Sequence, residues 1–224
     1  RYSDGTHNVW TIRPDGAQAM QISSFSDGTQ IQSMHWTPDG QHLMMALYRN
    51  HRQEVWLLDV ASKNWLQVTD NEIDELDPYI APDGKLWFSS DPDGIYNVYS
   101  MDLATCQVWQ HTNVLGSAYG VDVSPQGDVF FTDFTGHGYR IKAVRSEDLM
   151  QEEVDYPGTC KWDNGTLNDG FAELLSYVPE PTVVDQSIPF KAKNAQMPFN
   201  IWPVLRSTDK NVEVGSSFYL GDTV

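Results

Sequence analysis

Apolar and polar residues alternate along most of this chain in short runs of strand length, and the runs are cut by Pro-Asp-Gly turns. "QHLMMALYR", "KLWFSSD" and "DVFFTDF" are apolar, aromatic or β-branched stretches with the composition of β-strands. Each follows a turn whose proline presets φ and whose glycine relieves left-handed strain. "MHWTPDG" (Met34–Gly40), "PYIAPDG" (Pro78–Gly84) and "VDVSPQG" (Val121–Gly127) line up on their prolines at 38, 82 and 125. The steps are 44 and 43 residues.

A second landmark keeps the same spacing. "EVWLLDV" (Glu54–Val60) and "NVYSMDL" (Asn97–Leu103) read as third strands, with a weaker form at Tyr139–Val144. "NVWTIRPDG" (Asn8–Gly16) is an orphan first copy. Trp10, Trp56 and Tyr99 stand 46 and 43 residues apart. Polar tips such as "RNHRQ" and "DPDGIY" lead into the third strand, and "WLQVTD" or "VWQHTN" supplies the outermost one. Four strands every 43 or 44 residues is the period of a propeller blade. The expected fold class is therefore all-β: a partial β-propeller of about three and a half four-stranded blades, an irregular Pro-rich linker and a β-strand tail.

The pattern "W-T-P-D-G … N-V-Y-x-x-D-L … Q-x-T" resembles the TolB-like, Pro-Asp-Gly-type relatives of the WD-repeat propellers. The likeness is strongest over Ser24–Asp70 and Asn71–Asn113 and looser over Val114–Glu153, where Gln126 replaces the turn aspartate. Residues 1–153 are thus expected to be blades, and since a ring needs at least four, further blades are expected upstream. Residues 154–200, rich in Gly, Asn and Pro, read as a linker, with a short helix expected around Phe171–Tyr177. Residues 201–224 change character again. "FTDFTGHGYRI", the proline-spaced linker and "VGSSFYLGD" together resemble Gram-negative envelope proteins in which a periplasmic propeller leads into a surface-antigen-type outer-membrane barrel. That resemblance implies a first barrel strand at Val212–Leu220, although Arg140 stands where those proteins usually carry an acidic residue. The alternatives are a strand that closes the propeller and a disordered tail.

Composition narrows the partners. With 14 Lys and Arg against 31 Asp and Glu, the formal charge is −17, which repels nucleic acid and anionic lipid. Cys106 and Cys160 allow one disulfide in an oxidising compartment or two buried thiols.

Candidate chemistry is sparse. Gly215-Ser216-Ser217-Phe218-Tyr219 lacks the second glycine of a nucleophile elbow, and His-Glu-x-x-His does not occur. The six histidines read as solvated or hydrogen-bonded turn residues. "DPDGIYN" sets Asp91, Asp93 and Asn97 near a glycine like the opening of a calcium loop, but without its closing glutamate; an ordinary hairpin tip is preferred. No cofactor is expected. "DNEIDELD" places Asp70, Glu72, Asp74, Glu75 and Asp77 at a blade crossing, where carboxylates would meet a basic partner or simply face solvent. Trp65 and Trp109 fall in outer strands, as partner contacts or as packing between blades. Trp10, Trp36, Trp56, Trp87 and Tyr99 are expected in the core. The reading that follows is a non-catalytic scaffold binding a protein or peptide in the periplasm or at the outer membrane of the bacterial envelope. The alternative is the accessory propeller of an envelope peptidase whose catalytic domain lies outside these residues.

Overall fold

The computed structural model describes residues 2–157, 159–160, 201–207 and 212–218. Among these residues short antiparallel strands dominate, with one 3-10 turn at Ser146–Asp148. At the N-terminus β1 (Tyr2–Ser3) pairs with β2 (Thr6–His7), and β3 (Trp10–Thr11) with β4 (Met20–Gln21). This is the orphan repeat. The first full blade is β5 (Gln30–Trp36), β6 (His42–Arg49), β7 (Arg52–Asp59) and β8 (Trp65–Gln67), hydrogen-bonded in that order. A two-residue strand, β9 (Thr69–Asp70), follows. The second blade is β10 (Glu75–Ile80), β11 (Leu86–Ser90), β12 (Asn97–Asp102) and β13 (Gln107–Gln110); the third is β14 (Ser117–Val123), β15 (Val129–Thr135) and β16 (Gly138–Val144).

The repeated turn joins first to second strand in all three blades. Gly40, Gly84 and Gly127 each donate the backbone N–H to the carbonyl three residues earlier at 2.9 Å. Their φ values of 65°, 79° and 86° are left-handed, which is why glycine recurs there. Asp39 and Asp83 accept the N–H of Gln41 and Lys85, both at 3.0 Å. Where Gln126 replaces the aspartate, Ser124 Oγ takes over by accepting the N–H of Asp128 at 3.0 Å.

Alternation along the second strands assigns each face to a neighbour. Leu43, Met45 and Leu47 pack on Val9 and Ile22 of the orphan repeat. Leu86 and Phe88 pack on Met44, Val55 and Leu57 of the first blade. Val129 and Phe131 pack on Trp87 and Val98 of the second. Each fully buried Leu, Met or Phe contributes roughly 1.5–3 kcal/mol.

Three expectations need correction. Among the described residues the third blade has three strands and no fourth: after the 3-10 turn the chain returns to the second blade, where β17 (Glu152–Val154) pairs antiparallel with β13. Strand β18 (Thr159–Cys160) then pairs with β9. The boundary at 153 therefore cuts through β17, and the first residues of the expected linker are bound to blades. Finally, Trp36 is 54% exposed rather than core, because it ends the innermost strand, which has no further strand beyond it.

Residues Pro181–Val224 form a separate compact unit. In it β19 (Ile201–Ser207) pairs antiparallel with β20 (Val212–Phe218), from Ile201 opposite Phe218 to Ser207 opposite Val212. The helix expected at Phe171–Tyr177 and the turn expected at Gly221-Asp222 lie outside the described residues.

Candidate functional site

First strands line the channel of a propeller, and here all three carry an irregularity at the same place. Register shifts fall between Ile31 and Ser33, between Leu76 and Tyr79, and between Tyr119 and Asp122. The extra residue kinks each strand. At that point Asp77 N donates to Ser33 Oγ at 3.1 Å, and Gly120 N donates to Asp77 Oδ2 at 3.0 Å. Asp77 and Gly120 both have left-handed φ, 51° and 58°.

Two residues further on, the same registers place His35, Tyr79 and Asp122 side by side. The His35 and Tyr79 rings are 6.0 Å apart, and Tyr79 Oη donates to Asp122 Oδ1 at 3.4 Å. Burial first, then the Asp122 charge, pushes the Tyr79 phenol far up, so it stays a neutral donor. Met34 and Trp36 on the same strand as His35 are 53% and 54% exposed. Close to the kink, Tyr119 meets Tyr96 with ring centroids 5.1 Å apart. Burial and the carboxylates of Asp91 and Asp74 raise the Tyr96 phenol as well. The wall thus offers neutral phenols, carboxylates and open apolar side chains drawn from three blades. That set offers hydrogen-bond donors, acceptors and apolar contact to a basic or amide-bearing chain.

The acidic crossing divides into different roles. Glu72 is exposed and sits 3.4 Å from Arg52 Nη2; Asp70 is 3.9 Å from Arg52 Nη1 and pairs with Thr159. Asp74 gives its backbone N–H to Asp91, whose carboxyl is raised chiefly by burial. Asp77 belongs to the channel wall. Glu75 is not a partner-facing carboxylate: it is completely buried. Its Oε2 accepts from Thr69 Oγ1 at 2.5 Å, and its Oε1 from Asn71 Nδ2 at 2.5 Å and from Tyr156 Oη at 3.1 Å. Burial lifts its pKa to about 7 against those bonds, and the Glu54 charge adds to the lift.

Trp65 and Trp109 are not brought together. Trp65 packs on Phe25 at 4.9 Å. Trp109 carries Lys85 Nζ 3.9 Å from its ring centre and lies opposite Glu153, so its strand is covered by β17 rather than by solvent. "DPDGIYN" forms a hairpin tip in which Gly94 N donates to the Asp91 carbonyl at 2.8 Å. Among the described residues, no three or more His, Cys, Asp or Glu side chains are grouped to hold a metal. Cys106 and Cys160 form a disulfide.

One pair has the look of a catalytic dyad. Ser100 Oγ is 2.7 Å from His111 Nε2, while His111 Nδ1 donates to the Met150 carbonyl at 2.8 Å. Yet Ser100 is fully buried and His111 lies stacked on Trp87, ring centres 4.2 Å apart. No substrate reaches this serine. Burial above all, with the Lys85 charge, lowers the His111 pKa to about 4, so the ring is neutral. Of the two environments expected for the histidines, solvated or hydrogen-bonded, His111 takes the hydrogen-bonded one. The channel wall itself was missed in the sequence, though its signal was there: the residue three before each turn proline is His35, Tyr79 and Asp122, and the residue five before is Ser33, Asp77 and Gly120.

Solved structures with this architecture include TolB from Acinetobacter baumannii, 16% identical with a TM-score of 0.54. The match covers 65% of this chain and 37% of that one. A putative TolB from Agrobacterium tumefaciens matches at 16% identity and a TM-score of 0.57, over 67% and 57%. The shared fold is a β-propeller. Puromycin hydrolase matches at 13% identity and a TM-score of 0.50, over 67% of this chain and 25% of its own. The chain therefore spans well under two thirds of the length of each. No family model matches, and none of the curated proteins does.

Proposed function

We propose that this chain is a non-catalytic propeller scaffold that binds a protein or peptide in the bacterial cell envelope, as part of a larger outer-membrane-associated protein. The observation that carries the reading is the channel wall, where His35, Tyr79 and Asp122 form one row across three blades beside exposed Met34 and Trp36. Aligned carboxylates and phenols next to apolar side chains fit a short basic segment entering the channel. The likeness to two TolB structures supports the envelope setting, and the β19–β20 hairpin is the segment from which a barrel would start.

The test is to incubate the protein with a defined peptide library and read both bound and cleaved species by mass spectrometry. Retention of intact basic peptides, lost in Tyr79→Phe/Asp122→Asn, is the expected result. Absence of any retained peptide, or retention that ignores both substitutions, would overturn it. The puromycin hydrolase likeness favours a second reading, an accessory propeller that handles substrate for a peptidase domain outside these residues. Cleavage appearing only with the longer parent protein would support that reading instead.

A further inference from the structure

Residues Met150–Pro157 with Thr159–Cys160 run as a strap across the first two blades, fastened at five points. Met150 O accepts from His111, β17 pairs with β13, and Tyr156 reaches Glu75 and Ser90. Strand β18 then pairs with β9, and Cys160 is bonded to Cys106. Four of these attachments are ordinary packing, pairing or covalent contacts. The fifth is a buried carboxyl with no Lys, Arg or His in ion-pair reach among the described residues. It is roofed by the strap's own Tyr156, which also packs on Phe88 and Tyr99 with ring centroids 5.7 Å away in both cases. A cleft of about 440 Å³ lies along this seam, lined by Asn71, Gln107, Asp155, Tyr156 and both half-cystines.

We propose that the strap is gated by a proton on Glu75: it seats on the blades when Glu75 is protonated and lifts more readily when Glu75 ionises, while the Cys106–Cys160 bond keeps its end tethered. The hydrogen bonds suit both states. A protonated Glu75 donates to Tyr156 Oη, which then donates to Ser90 Oγ, 2.5 Å away. When Glu75 ionises the chain reverses: Ser90 donates to Tyr156, and Tyr156 donates to the carboxylate. What differs is the cost of a bare charge under the strap, which only lifting relieves by letting water in. The groups facing Glu75 are Thr69 of β9 and Asn71 just after it, Gln53 and Glu54 from β7, Ser90 from β11 and Tyr156 from the strap; the only charge among them, Glu54, opposes ionisation. The titration is set near neutrality, between an ordinary 4.5 in water and about 7 under the strap.

His111 is the other titrating group under the strap, and it acts in the opposite direction. The experiment therefore compares wild type with Glu75→Gln, so that His111 cancels. Native-state hydrogen exchange of the 152–156 amides is followed from pH 5.5 to 8. Opening of wild type relative to the variant should rise roughly 30-fold over that range. A flat ratio overturns the gate. Carbon-13 NMR of the wild-type glutamate carboxyls supplies a readout that does not depend on the variant folding. Glu75 should titrate near neutrality together with shifts in β17. A Glu75 that titrates at the ordinary value, or one that titrates near 7 without any response in β17, equally overturns it.

Discussion

His111 Nδ1 holds the carbonyl of Met150 at 2.8 Å, across 39 residues of sequence, while its Nε2 meets Ser100. The neutral ring is therefore part of the fold, and its charging is a route to acid unfolding. An unfolded His111 takes up a proton below its ordinary 6.5, whereas the folded one resists to about 4. Stability from this group is lost as pH falls through that window. Glu75 behaves oppositely: the folded form keeps a proton that the unfolded chain has released, so its contribution is lost as pH rises from 4.5 to about 7. Each amounts to about 3 kcal/mol at full extent. Urea unfolding of wild type should be nearly level between pH 4.5 and 6.5, and His111→Gln should unmask a fall with rising pH.

The disulfide closes a span of 54 residues between the second blade and the strap. Its removal by Cys106→Ser/Cys160→Ser should cost about 4 kcal/mol by the chain-entropy argument. Chemical denaturation of oxidised and serine forms under one buffer checks it. Oxidised protein treated with reductant should approach the serine form.

Met44 and Phe130 occupy corresponding positions in the first and third blades, but one is sealed and the other 40% exposed. Met44→Ala should cost about 2–5 kcal/mol and Phe130→Ala under about 1 kcal/mol. Thermal unfolding of the two variants separates them. Equal losses would mean that the outer face of the third blade is covered in solution.

Two glycines should respond differently to alanine. Gly40 has φ 65° and open space where a Cβ would stand, so Gly40→Ala should cost only about 1 kcal/mol of backbone strain. At Gly116 the added carbon would stand 1.7 Å from the Phe134 carbonyl oxygen. Gly116→Ala should therefore cost about 3 kcal/mol or more, by forcing β14 away from β15. Circular dichroism melts of both proteins provide the comparison.

The blades were readable because turn chemistry and alternation repeat at one period, and both are local. What could not be read depends on contacts between distant residues. Glu75 and its neighbours Asp74 and Asp77 look alike in "DNEIDELD", yet only Glu75 is covered by Tyr156 from 81 residues away. The departure of β17 from its own blade was equally hidden, since "EEV" carries no mark of which edge it will join. The His35, Tyr79 and Asp122 row was accessible in principle from the turn register. It escaped notice because the three side chains differ, so that position does not look like a repeat.

The order of the strands also has a consequence in time. Val108 waits for Val154, 46 positions later in synthesis, before its edge is covered. At typical elongation rates that is roughly 2–9 s. Throughout that interval the growing chain carries an open sheet margin able to pair with the wrong strand. The third blade must emerge before the second can be finished.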